Sequence, residues 1–223
     1  MSYRSASTAH SVPRVDDSGT LELTGPTLRV RIPRAGDAGA LFALARDPEV
    51  TRWFSWGPYE RIDEARAYLG RLPGQRARGE QLDLVVEDPR TGPIGISGLS
   101  EFAPRDRRAT IGTWLGRERW GTGANREVKA LMCHLAFDVL GLQRLTGYAN
   151  VEHARSQRAL EGIGFRREGT LRAYHRHAGR ALDVAVFSLL CADWDAGPLR
   201  AVSVQVAGAP PPAFVTLTDD LSD

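Results

Sequence analysis

The chain has 223 residues, of which 42% are hydrophobic and 25% are charged, and its formal net charge at pH 7 is +2. This length suits one domain with its own hydrophobic core, and so small a net charge does not indicate a nucleic-acid partner. No apolar run approaches the ~20 residues that cross a bilayer, the amino terminus lacks the apolar core of a secretory signal, and the two cysteines are too few for a disulfide framework or a metal cluster.

The first third of the chain predicts one strand and two helices in a cytoplasmic globular protein. Residues 1–20 are polar and irregular and are expected to form a disordered tail. The alternating segment 28–32 predicts a strand, and the apolar spacing in 35–50 predicts a helix that ends at a proline. A loop rich in aromatic residues follows at 53–59, and a second helix is predicted over 61–72.

Three strands and a helix are predicted next. The segments 82–87, 94–102 and 109–116 are rich in apolar and β-branched residues and are separated by strong turn signals. Apolar residues then recur with helical spacing from 128 to 139, and Gly141 is a natural end for this helix. The order predicts a meander of strands that leads into a crossover connection.

The last elements complete a mixed sheet. A strand is predicted at 142–150, a short helix at 154–164 and a final hairpin around 177–180. Residues 21–194 are therefore assigned to one α+β domain, in which helices flank a mixed sheet of about seven strands. The tail, residues 195–223, is either loosely ordered or adds an edge strand through "LRAVSVQV".

A segment with two glycines, "RWGTGANREV" (119–128), separates the meander from the next helix. Glycine there allows either a tight turn or the close approach of an anion, because a helix N-terminus offers unpaired N–H groups and a partial positive charge. A nucleotide P-loop would need Gly-Lys-Ser/Thr after Gly123, and the dinucleotide fingerprint would need a third glycine where Arg126 stands. Both nucleotide motifs are excluded, while the turn and the anion site remain open.

Several pieces of the sequence, in a fixed order, carry a resemblance to a known family. They are the strand "IGTWLG", the loop "WGTG", the segments "GLQRL" and "SQRALEGIGF", and the closing "REGTLR". Together they resemble the RimJ/RimL-like branch of the GNAT superfamily of acyl-CoA-dependent N-acetyltransferases. "WFSW", "DEARAYL" and "GPIGISGLSEF" upstream resemble it as well, so the similarity extends over about residues 21–191.

The resemblance implies a mixed, twisted sheet that is splayed between its fourth and fifth strands, with acetyl-CoA as the acyl donor in the gap. It also implies that backbone amides of the glycine loop cradle the pyrophosphate of the coenzyme. Asn125 departs from the small residue that the family typically has at this position. The coenzyme-binding residues implied in this way are Leu115, Trp120, Gly121, Thr122, Gly123, Ala124, Asn125, Arg126, Asn150 and Arg158.

The catalytic residues are harder to identify from the sequence than the coenzyme-binding residues. Holding two substrates in place supplies much of the acceleration of an acyl transfer, so such an enzyme can work without an unmistakable catalytic residue. Ser156 matches the family's serine near the coenzyme thiol and is the candidate proton donor, with a helix cap as its alternative role. Many relatives carry glutamate where Thr110 stands. Glu101, on the preceding strand, is therefore the first candidate for the general base, with an ordinary surface carboxylate as the alternative. His153, where the family often has asparagine, is either an exposed loop residue or a proton carrier.

The acceptor side is implied by the same resemblance. In this branch the region of Trp53, Phe54 and Trp56 borders the acceptor, so these aromatic residues are expected to shape the path of the substrate into the site. Tyr174 and Asp183 lie in the predicted final hairpin, which borders the acceptor site in this fold. Asp183 serves either in that site or as a hydrogen-bonding residue of a turn.

Two functions remain open. The first is direct transfer of an acetyl group from acetyl-CoA to a primary amine, which is a protein N-terminus or a small amine such as an aminoglycoside, a polyamine or an amino sugar. The second is a non-catalytic acyl-CoA-binding scaffold, because Thr110, Asn125 and His153 depart from the family pattern. Succinyl-CoA is an alternative donor for so arginine-rich a chain, and a homodimer is expected by analogy with the family.

Overall fold

A computed structural model describes residues 20–177 and 179–215, and nine strands of this part of the chain form one mixed sheet. The strands lie in the order β7-β8-β6-β5-β4-β3-β2-β1-β9. Their bounds are β1 Leu21–Thr24, β2 Arg29–Arg31, β3 Gln81–Asp88, β4 Gly92–Ala103, β5 Arg108–Leu115, β6 Arg144–Asn150, β7 Arg166–His177, β8 Arg180–Leu190 and β9 Gln205–Gly208. The tail predicted at residues 1–20 lies outside the described residues except for its last one, and so does the acidic end after residue 215.

Helices cover both faces of the sheet. They are α1 Ala38–Ala45, α2 Pro48–Thr51, α3 Ile62–Ala77, α4 Ala124–Cys133, α5 Ala154–Glu161 and α6 Cys191–Asp195, and α4 continues as a π-helical turn over His134–Val139. In the described ranges no helix combines the length and the apolar character needed to span a membrane. The predicted fold class, an α+β domain built on one mixed sheet with flanking helices, is confirmed.

The sheet has two strands more than the seven predicted from the sequence. β1 has only four residues and is stabilised by antiparallel pairing with β2 on one side and with β9 on the other. β2 is very short and β9 is distant in sequence, so the local sequence pattern gives little sign of β1. β9 is an edge strand at residues 205–208, so it overlaps only the last two residues of the segment "LRAVSVQV" (199–206), in which an edge strand is one of the two predicted forms of the tail. Phe214 beyond it is buried in the core.

The helix predicted over residues 35–50 is interrupted. α1 ends at Ala45, and Pro48 begins the short helix α2 instead of only ending its predecessor. Proline fits the first turn of a helix because its missing N–H would have no partner there. The side chain of Asp47 accepts the amide of Glu49 at 2.9 Å and so caps this new helix. The break directs the chain into the aromatic loop.

The sheet buries a different set of residues on each face. On one face, α1 and α3 pack through Leu41, Leu69 and Leu72 against Val85 and Ile96 of the central strands. On the other face, α4 and its π-helical continuation pack against strands β1 to β6 in the larger core cluster. This arrangement leaves α1, α3 and the loop after α2 on one side of the sheet's centre, where the cavities described below open.

The sheet opens between β5 and β6, which are the fourth and fifth of the strands predicted from the sequence because β1 is not among them. These strands pair in parallel only at Arg108–Arg144, Ala109–Leu145 and Thr110–Thr146. β5 continues to Leu115 and β6 to Asn150, but beyond these three pairs the two strands do not pair with each other. They therefore separate towards their carboxyl ends. The predicted splay is confirmed, and it creates a gap whose walls are backbone edges and the residues of α4 and α5.

Candidate functional site

Three cavities meet at the splay, and Phe54 and Thr113 line all of them. The arginine cavity, about 490 Å³, is lined by Arg119, Arg126, Arg155 and Arg158 together with the glycine loop. The central cavity, about 140 Å³, lies between β5 and β6 and is lined by Lys129, Tyr148, Asn150, His153 and Ser156. The aromatic cavity, about 330 Å³, is lined by Trp56, Tyr59, Tyr68, Trp114 and Asp83. A ligand could therefore extend from the glycine loop, past Thr113, to the aromatic rings.

The glycine loop has the backbone of an open cradle. Gly121 and Gly123 have φ values of +74° and +91°, and a Cβ built on either would meet no atom within 4 Å. Since the space beside both residues is empty and side chains rarely adopt these angles, both positions favour glycine. Gly123 lies at the N-terminus of α4, where amides carry partial positive charge. The amide of Arg126 already donates to the carbonyl oxygen of Gly123 at 3.0 Å, and the amide of Ala124 donates to the Thr122 hydroxyl at 3.4 Å. The open amides of the loop are therefore those of Gly121, Thr122, Gly123 and Asn125.

The start of α4 is held in place by one carboxylate. Glu127 accepts the amides of Thr27 and Leu28 at 2.7 and 2.8 Å, and also the Thr27 hydroxyl. These bonds tie the first turn of α4 to the turn between β1 and β2. The position of the cradle is therefore fixed by the sheet rather than by the loop alone.

The arginine cavity is strongly positive. Of the described residues that line it, four are arginines and none is a carboxylate. Arg119 is oriented by Asp88 and Thr91, at 2.8 and 2.6 Å. The Arg155 guanidinium lies 3.6 Å above the ring of Trp120, whose indole N–H donates to the Leu115 carbonyl. This charge suits a ligand with several phosphates.

Most of the coenzyme-binding residues named from the sequence converge here. The lining of the arginine cavity includes Leu115, Trp120, Gly121, Gly123, Asn125, Arg126 and Arg158, and Asn150 lines the central cavity. Thr122 and Ala124 are not part of either lining, and the Thr122 hydroxyl instead donates to the carbonyl of Arg119 at 2.9 Å. The roles of these residues stay predictions, but their placement is that of one continuous site.

Ser156 lines both the arginine and the central cavities. It is the third residue of α5, whose N-terminal flanking residue is His153, so Ser156 does not occupy the capping position. His153 stacks on Trp53 with 5.0 Å between ring centroids, and its Nε2 is buried with no hydrogen-bond partner among the described residues. Burial lowers the pKa of His153 to about 4, so this ring is neutral at pH 7 and is not an exposed loop residue.

Lys129 is a residue of the central cavity that the sequence patterns do not single out as functional. It is the single lysine among 29 basic residues, and it lies on the buried side of α4 with 4% of its surface exposed. No acidic side chain in the described ranges pairs with it, and desolvation lowers its pKa to about 8. A lone lysine in a chain that otherwise uses arginine is the available sign, since burial can bring the pKa of lysine near neutrality but not that of arginine.

The aromatic loop forms a wall between the cavities. Trp53 lines the central cavity, Trp56 the aromatic cavity and Phe54 all three. Trp56 contacts Phe54, Tyr59 and Trp114 at centroid distances of 5.2 to 5.5 Å. Of the three residues expected to border an acceptor, only Phe54 therefore lies where the arginine and aromatic cavities join, while Trp56 belongs to the aromatic cavity and Trp53 to the central cavity.

Glu101, Tyr174 and Asp183 do not line these cavities. The Glu101 carboxylate accepts the hydroxyl of Thr110 at 2.7 Å, and Thr110 in turn lies within hydrogen-bonding reach of Tyr148. Glu101 is therefore connected to the central cavity only through two hydroxyl groups. Tyr174 contacts Tyr148 at 5.2 Å, and Asp183 accepts the amide of Ala173, whose φ is +51°.

Known proteins resemble this chain in sequence and in fold. The profile of a family described as acetyltransferase (GNAT) domain matches residues 27–166. The chain is 30% identical over 165 residues to the uncharacterized N-acetyltransferase p20 of Bacillus licheniformis, with 73% of this chain and 92% of that protein covered. It is 29% identical over 175 residues to YdaF of Bacillus subtilis (strain 168), provisionally named a ribosomal N-acetyltransferase, with 76% and 93% covered.

A solved structure is similar to this chain in its three-dimensional fold. The crystal structure of a GCN5-related N-acetyltransferase from Brucella melitensis superposes with a TM-score of 0.71 at 26% sequence identity. The superposition covers 83% of each chain. Both the sequence and the fold of this chain are thus similar to those of proteins named N-acetyltransferases.

Proposed function

Because this chain belongs to the GNAT acetyltransferase family and is an acyltransferase, we propose that it transfers the acetyl group of acetyl-CoA directly to a primary amine. The observation that carries the proposal is the meeting of the arginine cavity and the aromatic cavity at Phe54 and Thr113. One cavity suits a polyphosphate donor, and the other is shaped for an organic acceptor. The acceptor is a protein N-terminus or a small amine.

The residues of the arginine cavity fit coenzyme A. The open amides between Gly121 and Asn125 would receive the pyrophosphate, and Arg126, Arg155 and Arg158 would neutralise phosphate charge. The central cavity then leads the acyl end past Asn150, His153 and Ser156. The unpartnered Nε2 of His153 is a polar atom that a bound amide-containing arm would satisfy.

The transfer needs two proton movements. The amine nitrogen forms a bond to the acetyl carbon while the carbon–sulfur bond breaks, so the amine must lose a proton and the departing thiolate must gain one. Ser156, in the central cavity, is proposed as the donor to the thiolate. For the base, Glu101 remains the candidate from the sequence, and Lys129 is a second candidate because it lies in the cavity itself.

Replacement of Ser156 by alanine is expected to lower kcat by about 10- to 100-fold while the affinity for acetyl-CoA changes less than about threefold. The proposed role of the hydroxyl is proton transfer, whereas phosphate contacts determine affinity. Initial rates of thiol release and calorimetric titration with acetyl-CoA measure the two quantities. The control is Ser188→Ala, which removes the hydroxyl of a buried serine of β8 outside the cavities. Equal turnover in the Ser156 variant would remove this residue from the mechanism.

Glutamine at position 101 is expected to lower kcat by less than about tenfold, because Glu101 reaches the central cavity only through Thr110 and Tyr148. The pH dependence of kcat, measured beside that of the parent protein, tests this. A loss of several orders of magnitude, with the ionisation removed from the profile, would show that Glu101 is the direct base.

A non-catalytic acyl-CoA-binding scaffold is the alternative function, and the same assays separate the two. It predicts acetyl-CoA binding with no product from any amine. The homodimer and the cytoplasmic location expected from the sequence are parts of the proposal, and sedimentation of the purified protein as a monomer would contradict the first.

A further inference from the structure

The floor of the aromatic cavity is a row of three residues aligned across neighbouring strands. Asp83 of β3 pairs with Gly98 of β4, and Gly98 pairs with Gly112 of β5. Residues in register on adjacent strands point to the same face of the sheet. Two adjacent glycines leave this face without side chains between Asp83 and the splay. The row is therefore a shallow trough with a carboxylate at its far end.

The carboxylate itself depends on the trough. A Cβ on Gly98 would lie 1.9 Å from Oδ1 of Asp83, so the side chain of Asp83 extends over Gly98 towards the splay. Strands lie about 4.8 Å apart, which places the carboxylate roughly one strand spacing from β5. Thr113, where the three cavities meet, follows Gly112 on that strand, and its side chain points to the opposite face, where its hydroxyl lies 2.7 Å from that of Ser97. A ligand of a few bonds' length could connect the two points.

Asp83 is a buried carboxylate without a cation. Only 8% of its surface is exposed, and its Oδ2 accepts hydrogen bonds from the hydroxyl of Tyr68 at 2.5 Å and from the amide of Gln81 at 2.7 Å. Both donors are neutral, and in the described ranges no lysine, arginine or histidine forms an ion pair with it. A buried charge is costly unless an opposite charge compensates it. Oδ1 accepts no hydrogen bond from a described residue and remains open to a ligand.

Aromatic rings surround the space above the trough. Trp56, Tyr59, Tyr68 and Trp114 line it together with Phe54. Aromatic faces attract ammonium groups, and they pack against the methylene chain between charges. Arg71 is the other charged residue of this lining, and it lies on the exposed side of α3.

We propose that Asp83 and the aromatic cavity bind a distal ammonium group of the acceptor, so that the preferred substrates are small aliphatic diamines whose other amino group reaches Thr113. This inference rests on the proposed function and specifies its acceptor. Asp83 acts as a specificity-determining residue, one strand spacing away from the transfer. The ammonium supplies the missing cation, and the trough of glycines accommodates the chain that joins the two amino groups.

The pKa of Asp83 is consistent with this arrangement. Burial raises it in the free protein. A bound ammonium would lower it again, because an opposite charge nearby favours the ionised carboxyl. The titratable groups around Asp83 are Tyr68 and Tyr59 in addition to the exposed Arg71.

The test compares matched pairs of primary alkyl monoamines and α,ω-diamines of increasing chain length. The parent protein is expected to prefer the diamine by about 10- to 100-fold in kcat/KM, with an optimum at the length that spans Thr113 and Asp83. Asp83→Asn should abolish this preference by raising KM for the diamines far more than for the monoamines. Asp63→Asn, at an exposed carboxylate of α3, is the control and should behave as the parent.

Two results would overturn the inference. One is the absence of a diamine preference in the parent protein, and the other is an equal fall of kcat for both amine classes in Asp83→Asn, which would place Asp83 in the chemistry. If no amine is acetylated, the proposed function fails, and calorimetric titration of the coenzyme A-bound protein with diamine decides the inference separately. Diamine binding that is lost in Asp83→Asn supports it, and binding that is absent or indifferent to the substitution contradicts it.

Discussion

Valine in place of Gly123 is expected to weaken acetyl-CoA binding by at least about 100-fold, because the lost contacts are charge-assisted hydrogen bonds. The side chain would occupy the empty space beside the cradle, where no protein atom lies within 4 Å of the Cβ position. It would also strain a backbone with φ of +91°, which is unfavourable for a β-branched residue. Calorimetric titration with acetyl-CoA measures the loss.

A matched control separates the two effects of this substitution. Gly92, the first residue of β4, has φ of +87° and likewise has no neighbour within 4 Å of its Cβ position. Gly92→Val therefore carries similar backbone strain outside the cradle. We expect it to lower the melting temperature much as Gly123→Val does while acetyl-CoA affinity stays near that of the parent. Equal losses of affinity in both variants would show that strain, and not a coenzyme contact, explains the result.

Methionine in place of Lys129 is expected to stabilise the fold and to impair catalysis. The pKa of Lys129 is about 8 in the folded protein against an ordinary value of 10.5, so the folded state disfavours the protonated amine. At pH 7 this costs stability on the order of 3 kcal/mol, and the cost disappears as the pH rises from 8 to 10.5 because the unfolded chain binds the extra proton in that window. Methionine removes the charge and fills a similar volume.

Denaturant unfolding at pH 7 and at high pH, together with the pH dependence of kcat, tests this prediction. The stability gain of Lys129→Met should be largest at pH 7, and kcat should fall by about 100-fold or more with loss of the inflection near pH 8. Functional sites often retain residues that lower the stability of the fold, because activity requires them. Lower stability of the variant, or an unchanged profile of kcat against pH, would contradict this role of Lys129 and leave Glu101 as the base candidate.

The glycine loop can be interpreted from sequence because its evidence is local. Gly121 and Gly123 lie two residues apart at a strand-to-helix junction, and the neighbouring motifs give the resemblance to the GNAT superfamily, which the match to the family profile confirms. Ser156 likewise belongs to a contiguous motif. Such features need no knowledge of how distant segments pair.

The acceptor side depends on contacts that the sequence does not display. Asp83, Gly98 and Gly112 become one row only when the register of three strands is known. Lys129 is buried because α4 rotates that position towards the splay, although a polar residue beside Val128 is typical of the edge of an amphipathic face. β1 and β9 are stabilised by pairing with each other. Because each strand has only four residues, the sequence of either one alone shows little of the alternation that predicts a strand.

The direction of the Glu101 side chain could not be predicted from the sequence. The sequence places it correctly near the end of a strand, but its φ of +49° and the register shift beside it rotate the carboxylate towards Thr110. A β-bulge changes the direction of a side chain without changing its place in the sequence. The sequence therefore predicts that Glu101 belongs to this strand, but it does not predict how close the carboxylate lies to the site.

Calorimetric titration of the purified protein with acetyl-CoA, with free coenzyme A and ATP as controls, tests whether the splay binds the acyl donor. The arginine cavity and the glycine cradle predict binding of acetyl-CoA and coenzyme A with similar affinity, because both share the pyrophosphate and the pantetheine arm, and much weaker binding of ATP. Absence of acetyl-CoA binding, or ATP binding of equal strength, would contradict the assignment of this splay as an acetyl-CoA site.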